Sequence, residues 1–465
     1  MNINRSILRL AIPSILANIT VPLVGMVDIA VAGHLDTSAA TMIGGIAIGS
    51  MLFDLLYWNF GFLRVGTGGL AAQAYGRGDR RECARILTRS LGLSLAIALL
   101  LLVIQWIFVK AAFLVVECTP DVQTLASKYF FIRIWAAPAT LSLMALKGWF
   151  IGMQDSVSAM VADVTVNGMN ILMSFLLALG LTIDGEAIIA GMGFSGIAAG
   201  TVVAQWTGLV VSLLIVAFKY RKSTMSQLEA ADIRELFKGG ETRRFFVMNA
   251  NLFVRSLCFI AIYIGFTIIS ARYGDTLLAV FSIMMKLLMI FSYFTDGFAY
   301  AGEALTGRFI GAKDALGLRQ TVKWTFVWSM GIAVIFMGVY HFAGVPMLRL
   351  MTSDPIVVEA SRPFLPWLLL MPIVGCAAFT WDGIYIGATA SRQLRDSMIW
   401  AVVAFVGVWV AGILILGRLS ENGTVAPDRY DGLAMHILMM AYFAHLLART
   451  VHLTVKARKS VMETI

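Results

Sequence analysis

The chain has 465 residues, of which 59% are hydrophobic and only 14% are charged, and its formal net charge is +9. A soluble globular protein carries about 25% charged residues. The composition therefore excludes a soluble domain and indicates a polytopic membrane protein. The basic excess does not indicate nucleic-acid binding, because the Lys and Arg residues gather in alternate loops between apolar segments.

The apolar segments predict an all-α fold with twelve transmembrane helices. A hydrocarbon core about 30 Å thick needs about 20 apolar residues per helix. Segments of this kind lie near residues 7–33, 40–70, 84–114, 124–152, 157–182, 190–219, 243–272, 276–306, 316–346, 357–387, 395–417 and 430–456. We expect two six-helix lobes, an N-lobe over 1–220 and a C-lobe over 243–465, joined by a cytoplasmic linker over 221–242. The spacing in this linker predicts a short amphipathic surface helix.

The charged loops predict the topology. Lys and Arg crowd into residues 77–85, 219–244, 308–319, 392–395 and 456–459, whereas the loops on the opposite side are poor in them. Because cytoplasmic loops carry the excess of basic residues, both termini are expected in the cytoplasm. We expect a multi-pass protein of the inner (plasma) membrane.

Two sequence motifs occur twice, at an offset of 235 residues. The segment GWFIGMQDS at 148–156 returns as GIYIGATAS at 383–391, and AAQAYGRGD at 71–79 returns as TGRFIGAKD at 306–314. An even number of helices per half gives both copies one orientation, so the pseudo-two-fold axis is expected along the membrane normal. Because the interface of such repeats is the usual place for a transported substrate, the repeat favours a transporter. Pro138 and Pro372 predict matching kinks in the two halves.

Ionisable and polar residues at membrane depth mark the candidate site in the N-lobe. Asp28 lies deep in the first predicted helix, with Asn18 on nearly the same face. Such groups are costly and usually face a cavity or a partner, so Asp28 is a candidate carrier of a proton or ligand of Na⁺. The alternative is an Asp at a helix end that pairs with a basic neighbour.

A polar stripe runs along the fifth predicted helix. Asp163, Asn167, Asn170 and Ser174 follow one another at spacings of four, three and four residues, which places them on one helical face. Such a stripe lines a water-filled cavity or bonds neighbouring helices, and the sequence leaves both interpretations open.

Charged residues also lie within the predicted C-lobe helices. Arg255, Lys286 and Asp382 are expected to pair with one another or to contact substrate. Lys147 occupies the position that the repeat equates with Asp382, so it offers a cation for a bridge between the halves. The interlobe or gating candidates are therefore Lys147, Arg64 and Glu303.

Several motifs in order resemble the multidrug and toxic compound extrusion (MATE) family, in the branch typified by DNA-damage-inducible protein F. The resemblance covers nearly the whole chain and is carried by LRLAIPSILANITVPLVGMVDIAVAGHLD, FGFLRVGTGGLAAQAYGRGD, LKGWFIGMQDS, GFSGIAAGTVVAQ, FAYAGEALTGRFIGAKD and WDGIYIGAT. It implies two lobes that open alternately to either side and export organic cations or lipophilic, amphipathic toxins against H⁺ or Na⁺.

The resemblance also implies roles for single residues. Asp28 matches the family's first-helix carboxylate, which is most often given the coupling role. Asn170 matches its fifth-helix asparagine, and Thr201 falls in the sixth-helix segment that borders the same pocket. Arg255 matches the basic position of this branch's seventh helix, and Asp382 matches the tenth-helix DG motif.

One departure from the family pattern concerns Ser174, where many members carry an aspartate. Because a serine cannot carry a proton in this way, the coupling is expected to fall mainly on Asp28, with Asp163 as a substitute second carboxylate. Sodium coupling would need a cage of oxygens instead. The candidates for that cage are Asp28, Asn18, Asn167, Asn170 and Thr201.

Two alternative functions remain at this point. A flippase for a lipid-linked or anionic amphipathic substrate would need a more cationic cavity, for which Arg255, Lys286, Lys147 and Arg64 are the candidates. An intramembrane enzyme is disfavoured because the sequence has no HExxH or Gly-x-Ser-x-Gly motif, and it has no P-loop for ATP. We expect a monomer without metal or cofactor, whose partners are small molecules and membrane lipids.

Overall fold

The computed structural model describes residues 2–33, 35, 39–114, 116, 118–183, 186–229, 240–352 and 354–464. Within these residues, twelve helical stretches are long and apolar enough to cross a membrane. The predicted all-α, polytopic class is therefore confirmed. The amphipathic helix predicted in the linker falls largely on residues 230–239, which lie outside the described residues.

The first half of the chain is helical apart from one short hairpin. Its helices are α1 (Ile3–Gly33), α2 (Ala39–Trp58), α3 (Phe62–Gly76), α4 (Arg80–Ala112), α5 (Pro120–Arg133), α6 (Ala137–Gly152), α7 (Ser156–Leu179) and α8 (Phe194–Ile215). The antiparallel strands β1 (Leu181–Ile183) and β2 (Glu186–Ile189) connect α7 to α8. One membrane span combines α2 with α3, and another combines α5 with α6.

The second half has the same organisation. Its helices are α9 (Gly240–Ala271), α10 (Asp275–Gly311), α11 (Ala315–Met351), α12 (Pro355–Ser361), α13 (Leu365–Gly387), α14 (Ser391–Glu421) and α15 (Pro427–Ala457). The short helix α12 and α13 together form one span.

The chain forms two compact units, Ile12–Phe246 and a second unit that joins Met1–Ala11 to Val247–Ile465. In the first unit α3 packs on α6 and α7 packs on α8, and in the second α10 packs on α13 and α14 on α15. The start of α1 belongs to the second unit, where Trp328 donates a hydrogen bond of 3.0 Å from Nε1 to Asn4 Oδ1. These boundaries differ from those of the lobes predicted at 1–220 and 243–465, which stay a prediction.

The repeated glycines are the points at which helices cross most closely. A Cβ on Gly148 of α6 would lie well under 3.0 Å from the backbone carbonyl of Arg64 in α3, and one on Gly383 of α13 would meet Ala299 of α10 in the same way. Gly383 lies 235 residues after Gly148, and Ala299 lies 235 residues after Arg64. The second glycine of each motif repeats the arrangement with the pairs Gly152–Gly68 and Gly387–Glu303. The sequence repeat is thus a repeat of one helix crossing.

The repeated Gly-Asp and Lys-Asp turns cap equivalent helices. Gly78 and Lys313 both have positive φ, at 73° and 56°. Asp79 then accepts a hydrogen bond of 2.9 Å from the backbone N–H of Glu82, and Asp314 accepts one of 2.8 Å from Gly317. An Asp at this position satisfies one of the free N–H groups of the first turn, so both α4 and α11 begin at a defined residue.

The two prolines for which matching kinks were predicted lie at different positions in their helices. Pro138 lies in the first turn of α6, directly after a 3₁₀ turn at Ile134–Ala136. In the second half the 3₁₀ turn is Arg362–Phe364, and α13 begins with Pro366 in its first turn. Pro372 lies inside the continuous helix α13. The kink expected at Pro372 stays a prediction. Pro138 does not lie in the interior of a helix, and a proline in the first turn removes no internal hydrogen bond.

Candidate functional site

Asp28 lies in α1 of the first unit, and its side chain is held by one serine. The residue is only 6% exposed. Ser174 of α7 donates a hydrogen bond of 3.0 Å from its hydroxyl to Asp28 Oδ1. Ser174, the position at which the resemblance predicts a second carboxylate, therefore contacts Asp28 directly. It cannot carry a proton itself, but it stabilises the ionised form of Asp28.

A second contact joins the same two helices. Asn167 of α7 donates from Nδ2 to the hydroxyl of Thr20 in α1 at 2.5 Å, and Thr20 donates in turn to the carbonyl of Ala17 at 2.7 Å. Thr20 and Asp28 lie on one face of α1, two turns apart, as do Asn167 and Ser174 on α7. Asn18, also in α1, is buried.

The remaining amide of the stripe points to α8. Asn170 is buried and donates from Nδ2 to the hydroxyl of Thr201 at 2.9 Å. Thr201 donates to the carbonyl of Ile197 at 3.4 Å. The polar face of α7 therefore bonds α7 to both α1 and α8, which is one of the two interpretations that the sequence left open.

Arg133 is a charged residue near Asp28 that the sequence analysis missed. It lies at the end of α5, donates from Nη1 to Tyr129 Oη at 3.1 Å, and places its guanidinium 4.8 Å from the centre of the Phe53 ring. Its charge acts on Asp28. The sequence signal was an arginine inside an apolar span, in FFIRIW, which deserved the same attention as Asp28.

Asp163 and Lys147 pair with each other. Lys147 Nζ of α6 lies 2.6 Å from Asp163 Oδ2 of α7, and both side chains are about a quarter exposed, at 22% and 26%. Lys147 therefore has a carboxylate partner in its own unit, and the bridge to Asp382 stays a prediction. Asp163 is paired with Lys147, and its role as a second carboxylate likewise stays a prediction.

The second unit contains a cluster of three charged residues at Asp382. Its Oδ2 atom accepts hydrogen bonds of 2.5 Å from Arg255 Nη2 of α9 and from Arg449 Nη2 of α15. The predicted pairing of Arg255 with Asp382 is present. Arg449 was missed, because an arginine near the basic end of the last helix is expected to extend to the membrane surface, whereas this one is only 1% exposed.

The other three candidates have different surroundings. Lys286 of α10 is exposed and forms no ion pair with any described residue, so the pairing expected of it is corrected. Glu303 of α10 is fully buried, and its backbone carbonyl lies against Gly387. Arg64 of α3 is partly buried, and its carbonyl lies against Gly148. The last two residues thus sit at the repeated helix crossings.

The donor set around Asp28 consists of hard oxygen and amide groups. Asn170 Oδ1 is buried and has no hydrogen-bond partner among the described residues. Across those same residues, His, Cys, Asp and Glu form no group of three that could hold a metal ion. The polar group on α1, α7 and α8 thus contains one carboxylate, the hydroxyls of Ser174, Thr20 and Thr201, and the amides of Asn167 and Asn170.

Comparison with known proteins identifies a repeated family domain. The MatE family model matches residues 13–176 and 252–415, so it matches once in each half of the chain. These two stretches contain both Asp28 and Asp382.

Relatives and solved structures agree with that match. DNA damage-inducible protein F of Escherichia coli is 33% identical over 86% of this chain and 84% of its own length. A probable multidrug resistance protein NorM of Photorhabdus laumondii is 24% identical over 88% of this chain and 86% of its own. A solved structure of a MOP superfamily transporter from Pyrococcus furiosus has a TM-score of 0.79 at 16% identity and covers 100% of this chain and 97% of its own.

Proposed function

Because this chain belongs to the MatE family of multidrug transporters, we propose that it exports organic cations or amphipathic toxins in exchange for H⁺, by alternating access. The family and the relatives above are transporters, so the chain is a multi-pass membrane transporter of small organic substrates and not an enzyme. The exchanged ion, the substrate class and the residues that couple them are the content of the proposal.

The observation that carries the proposal is the environment of Asp28. A buried carboxylate in a membrane helix costs free energy, so its presence there indicates a functional site. Here it accepts one hydrogen bond of 3.0 Å from Ser174, which can hold the ionised form without neutralising it. In the proposed cycle, Asp28 takes up a proton from outside as substrate leaves. It loses the proton to the inside, and the ionised form restores substrate binding.

Two features favour H⁺ over Na⁺ as the exchanged ion. The charge of Arg133 acts on Asp28 and opposes a second cation at that carboxylate. The hydroxyl of Ser174 is the only hydrogen-bond partner of Asp28 among the described residues, whereas the amides of Asn167 and Asn170 donate to Thr20 and Thr201. A proton, which binds covalently to the carboxylate, needs no oxygen cage. Sodium exchange is the alternative outcome of the test.

The proposal includes the location and the assembly. We place the protein in the plasma (inner) membrane. The basic loops support an orientation with both termini in the cytoplasm. We propose a monomer, because both repeats that such a transporter needs lie in one chain.

The test is ethidium uptake into everted membrane vesicles that contain the full-length protein. Wild type is compared with Asp28→Asn, which keeps the size of the side chain and removes its charge, under separately imposed H⁺ and Na⁺ gradients. The matched control is Asp121→Asn, since Asp121 is an exposed carboxylate in the first turn of α5.

The proposal predicts uptake driven by the H⁺ gradient in wild type and in Asp121→Asn, and none in Asp28→Asn. Uptake driven by the Na⁺ gradient alone would make Na⁺, and not H⁺, the exchanged ion. Undiminished H⁺-driven uptake by Asp28→Asn would remove Asp28 from the mechanism.

A further inference from the structure

The charged cluster in the second unit has one oxygen shared by two arginines. Arg255 of α9 and Arg449 of α15 both donate to Asp382 Oδ2 of α13, and Asp382 is 9% exposed. Flanking contacts fix α13 against α15, since Trp381 Nε1 donates to Thr454 Oγ1 at 2.9 Å and Tyr385 Oη donates to the Leu453 carbonyl at 2.5 Å. These contacts hold α13 against α15 beside Asp382.

The cluster carries more positive than negative charge. Guanidinium groups stay protonated at all physiological pH values, so two arginines and one ionised aspartate leave a net charge of +1. A buried ion pair is tolerated when its charges cancel, and an uncompensated buried charge is strongly unfavourable. Within the described residues no further carboxylate pairs with Arg255 or Arg449. The cluster lacks one negative charge.

The hydrogen-bonding groups of the cluster are also incompletely used. The Nε and Nη1 atoms of Arg449 and the Nε atom of Arg255 are buried without a hydrogen-bond partner among the described residues. Each of these atoms carries N–H donors, and a buried donor without an acceptor costs free energy. The Oδ1 atom of Asp382 is also buried without a partner, but this one oxygen accepts fewer hydrogen bonds than the three nitrogen atoms can donate. The missing charge and the shortage of acceptors therefore call for the same kind of ligand, an anion with several acceptor oxygens.

We propose that Arg255 and Arg449 form a carboxylate-binding subsite, so that the exporter accepts amphipathic substrates that carry a carboxylate in addition to organic cations. A carboxylate matches the planar donor fork of a guanidinium. The Phe379 ring centre lies 5.8 Å from Arg449 Cζ and offers an apolar contact to the body of such a substrate. Arg255, whose side chain is 19% exposed, provides the open edge. This inference rests on the proposed export function.

The experiment uses two dyes that share one xanthene cation and differ at one group. Rhodamine 19 has a free carboxylate, and rhodamine 6G is its ethyl ester. Transport of each dye is measured in proteoliposomes with purified full-length wild type, Arg449→Gln and Arg255→Gln. Arg449→Gln leaves Asp382 paired with Arg255, so its charges cancel and the fold is expected to survive. Binding of each dye to the purified protein is measured by fluorescence anisotropy.

The subsite predicts that Arg449→Gln lowers transport and affinity for rhodamine 19 about tenfold, the size of one lost charge-assisted hydrogen bond. Transport of rhodamine 6G and affinity for it are expected to change less than about threefold, because the ester brings no negative charge to the arginines. Arg255→Gln is expected to act in the same direction, and Arg449→Lys, which keeps the charge, restores part of the preference.

Three results would overturn the inference. The first is an unchanged ratio of rhodamine 19 transport to rhodamine 6G transport in both variants. The second is an equal loss of transport of both dyes in a normally inserted variant, which assigns the arginines a structural role only. The third is equal binding of the two dyes to wild type. If wild type binds rhodamine 19 through Arg449 but moves neither dye, the proposed export function fails and the subsite stands.

Discussion

The hydroxyl of Ser174 donates a hydrogen bond of 3.0 Å to Asp28, across the interface of α7 and α1. The resemblance to the family predicts a second carboxylate at this serine's position, and a serine there gives a donor and an acceptor in place of two like charges. In the proposed cycle Asp28 alone carries the proton, and Ser174 affects how easily the proton leaves.

Ser174→Ala tests that relationship. The ionised form of Asp28 loses a charge-assisted hydrogen bond of about 1.5–3 kcal/mol, so H⁺-driven ethidium transport is expected to fall about tenfold without being abolished. The control is Ser212→Ala, which removes a buried serine of α8 that donates only to the carbonyl of Gly208. Transport at the wild-type rate in Ser174→Ala would show that the contact with Asp28 has no role in coupling.

The Lys147–Asp163 pair is expected to be structural. Lys147→Met leaves a carboxylate without its partner and is expected to lower the free energy of unfolding by about 1–3 kcal/mol, less than for a fully buried pair because a quarter of each side chain is exposed. The double variant Lys147→Met/Asp163→Leu removes both charges and is expected to unfold near the wild-type temperature in detergent. A double variant no more stable than the single one would contradict this interpretation.

Asp155 is expected to stabilise the start of α7 in a pH-dependent way. Burial alone would raise the pKa of Asp155, but hydrogen bonds from Lys219, Ser158 and Tyr220 outweigh it and hold this pKa below the ordinary value of 3.8. The donors include Lys219 Nζ at 2.7 Å, Tyr220 Oη at 2.6 Å and the backbone N–H of Ser158 at 3.2 Å. The ionised form of Asp155 is therefore the form that the fold stabilises.

Because the pKa of Asp155 is lower in the folded than in the unfolded protein, its contribution is complete above pH 3.8 and is lost as the pH falls through the folded value. Asp155→Asn is expected to cost about 1–2 kcal/mol at pH 7, and less at pH 3. Thermal unfolding of both proteins in detergent at the two pH values measures this. An equal difference between wild type and variant at both values would contradict the electrostatic account.

The repeated glycines are expected to tolerate no side chain. In Gly148→Ala the new Cβ meets the backbone carbonyl of Arg64, and backbone cannot move aside cheaply, so we expect a loss of about 3 kcal/mol or a failure to accumulate in the membrane. Gly168→Ala is the control, because a Cβ at Gly168 of α7 meets nothing within 4 Å. That variant is expected to gain about 0.5–1 kcal/mol. Equal expression and equal unfolding temperature of the two variants would contradict the close approach of α6 to α3 at Gly148.

The fold could be predicted because its signals are local or repeated. Runs of about 20 apolar residues mark the spans, and the glycines at 148 and 383 mark equivalent crossings because only glycine permits that approach. The position of Pro138 in the first turn of α6 could not be predicted, because the sequence does not give the start of a helix to within a turn.

The candidate site could be predicted only in part. Asp28 and the polar stripe stood out as ionisable or polar residues in apolar helices, and four-residue spacing placed the stripe on one face. The partner of each side chain did not follow, because Lys147–Asp163 and Arg449–Asp382 join helices through tertiary packing that no local pattern encodes. Arg133 lies inside the apolar span Pro120–Gly152 and could have been found from the sequence, whereas Arg449 was missed for a further reason. An arginine near a helix end is expected to reach the membrane surface, and only the structure shows whether it does so.

The most direct test of the central claim, that Asp28 exchanges a proton for substrate, is proton release from the purified protein in unbuffered detergent solution when ethidium is added. Wild type is expected to release protons in proportion to bound ethidium, Ser174→Ala to do so as well, and Asp28→Asn to bind or reject ethidium without any release. Proton release by Asp28→Asn equal to that of wild type would contradict the account.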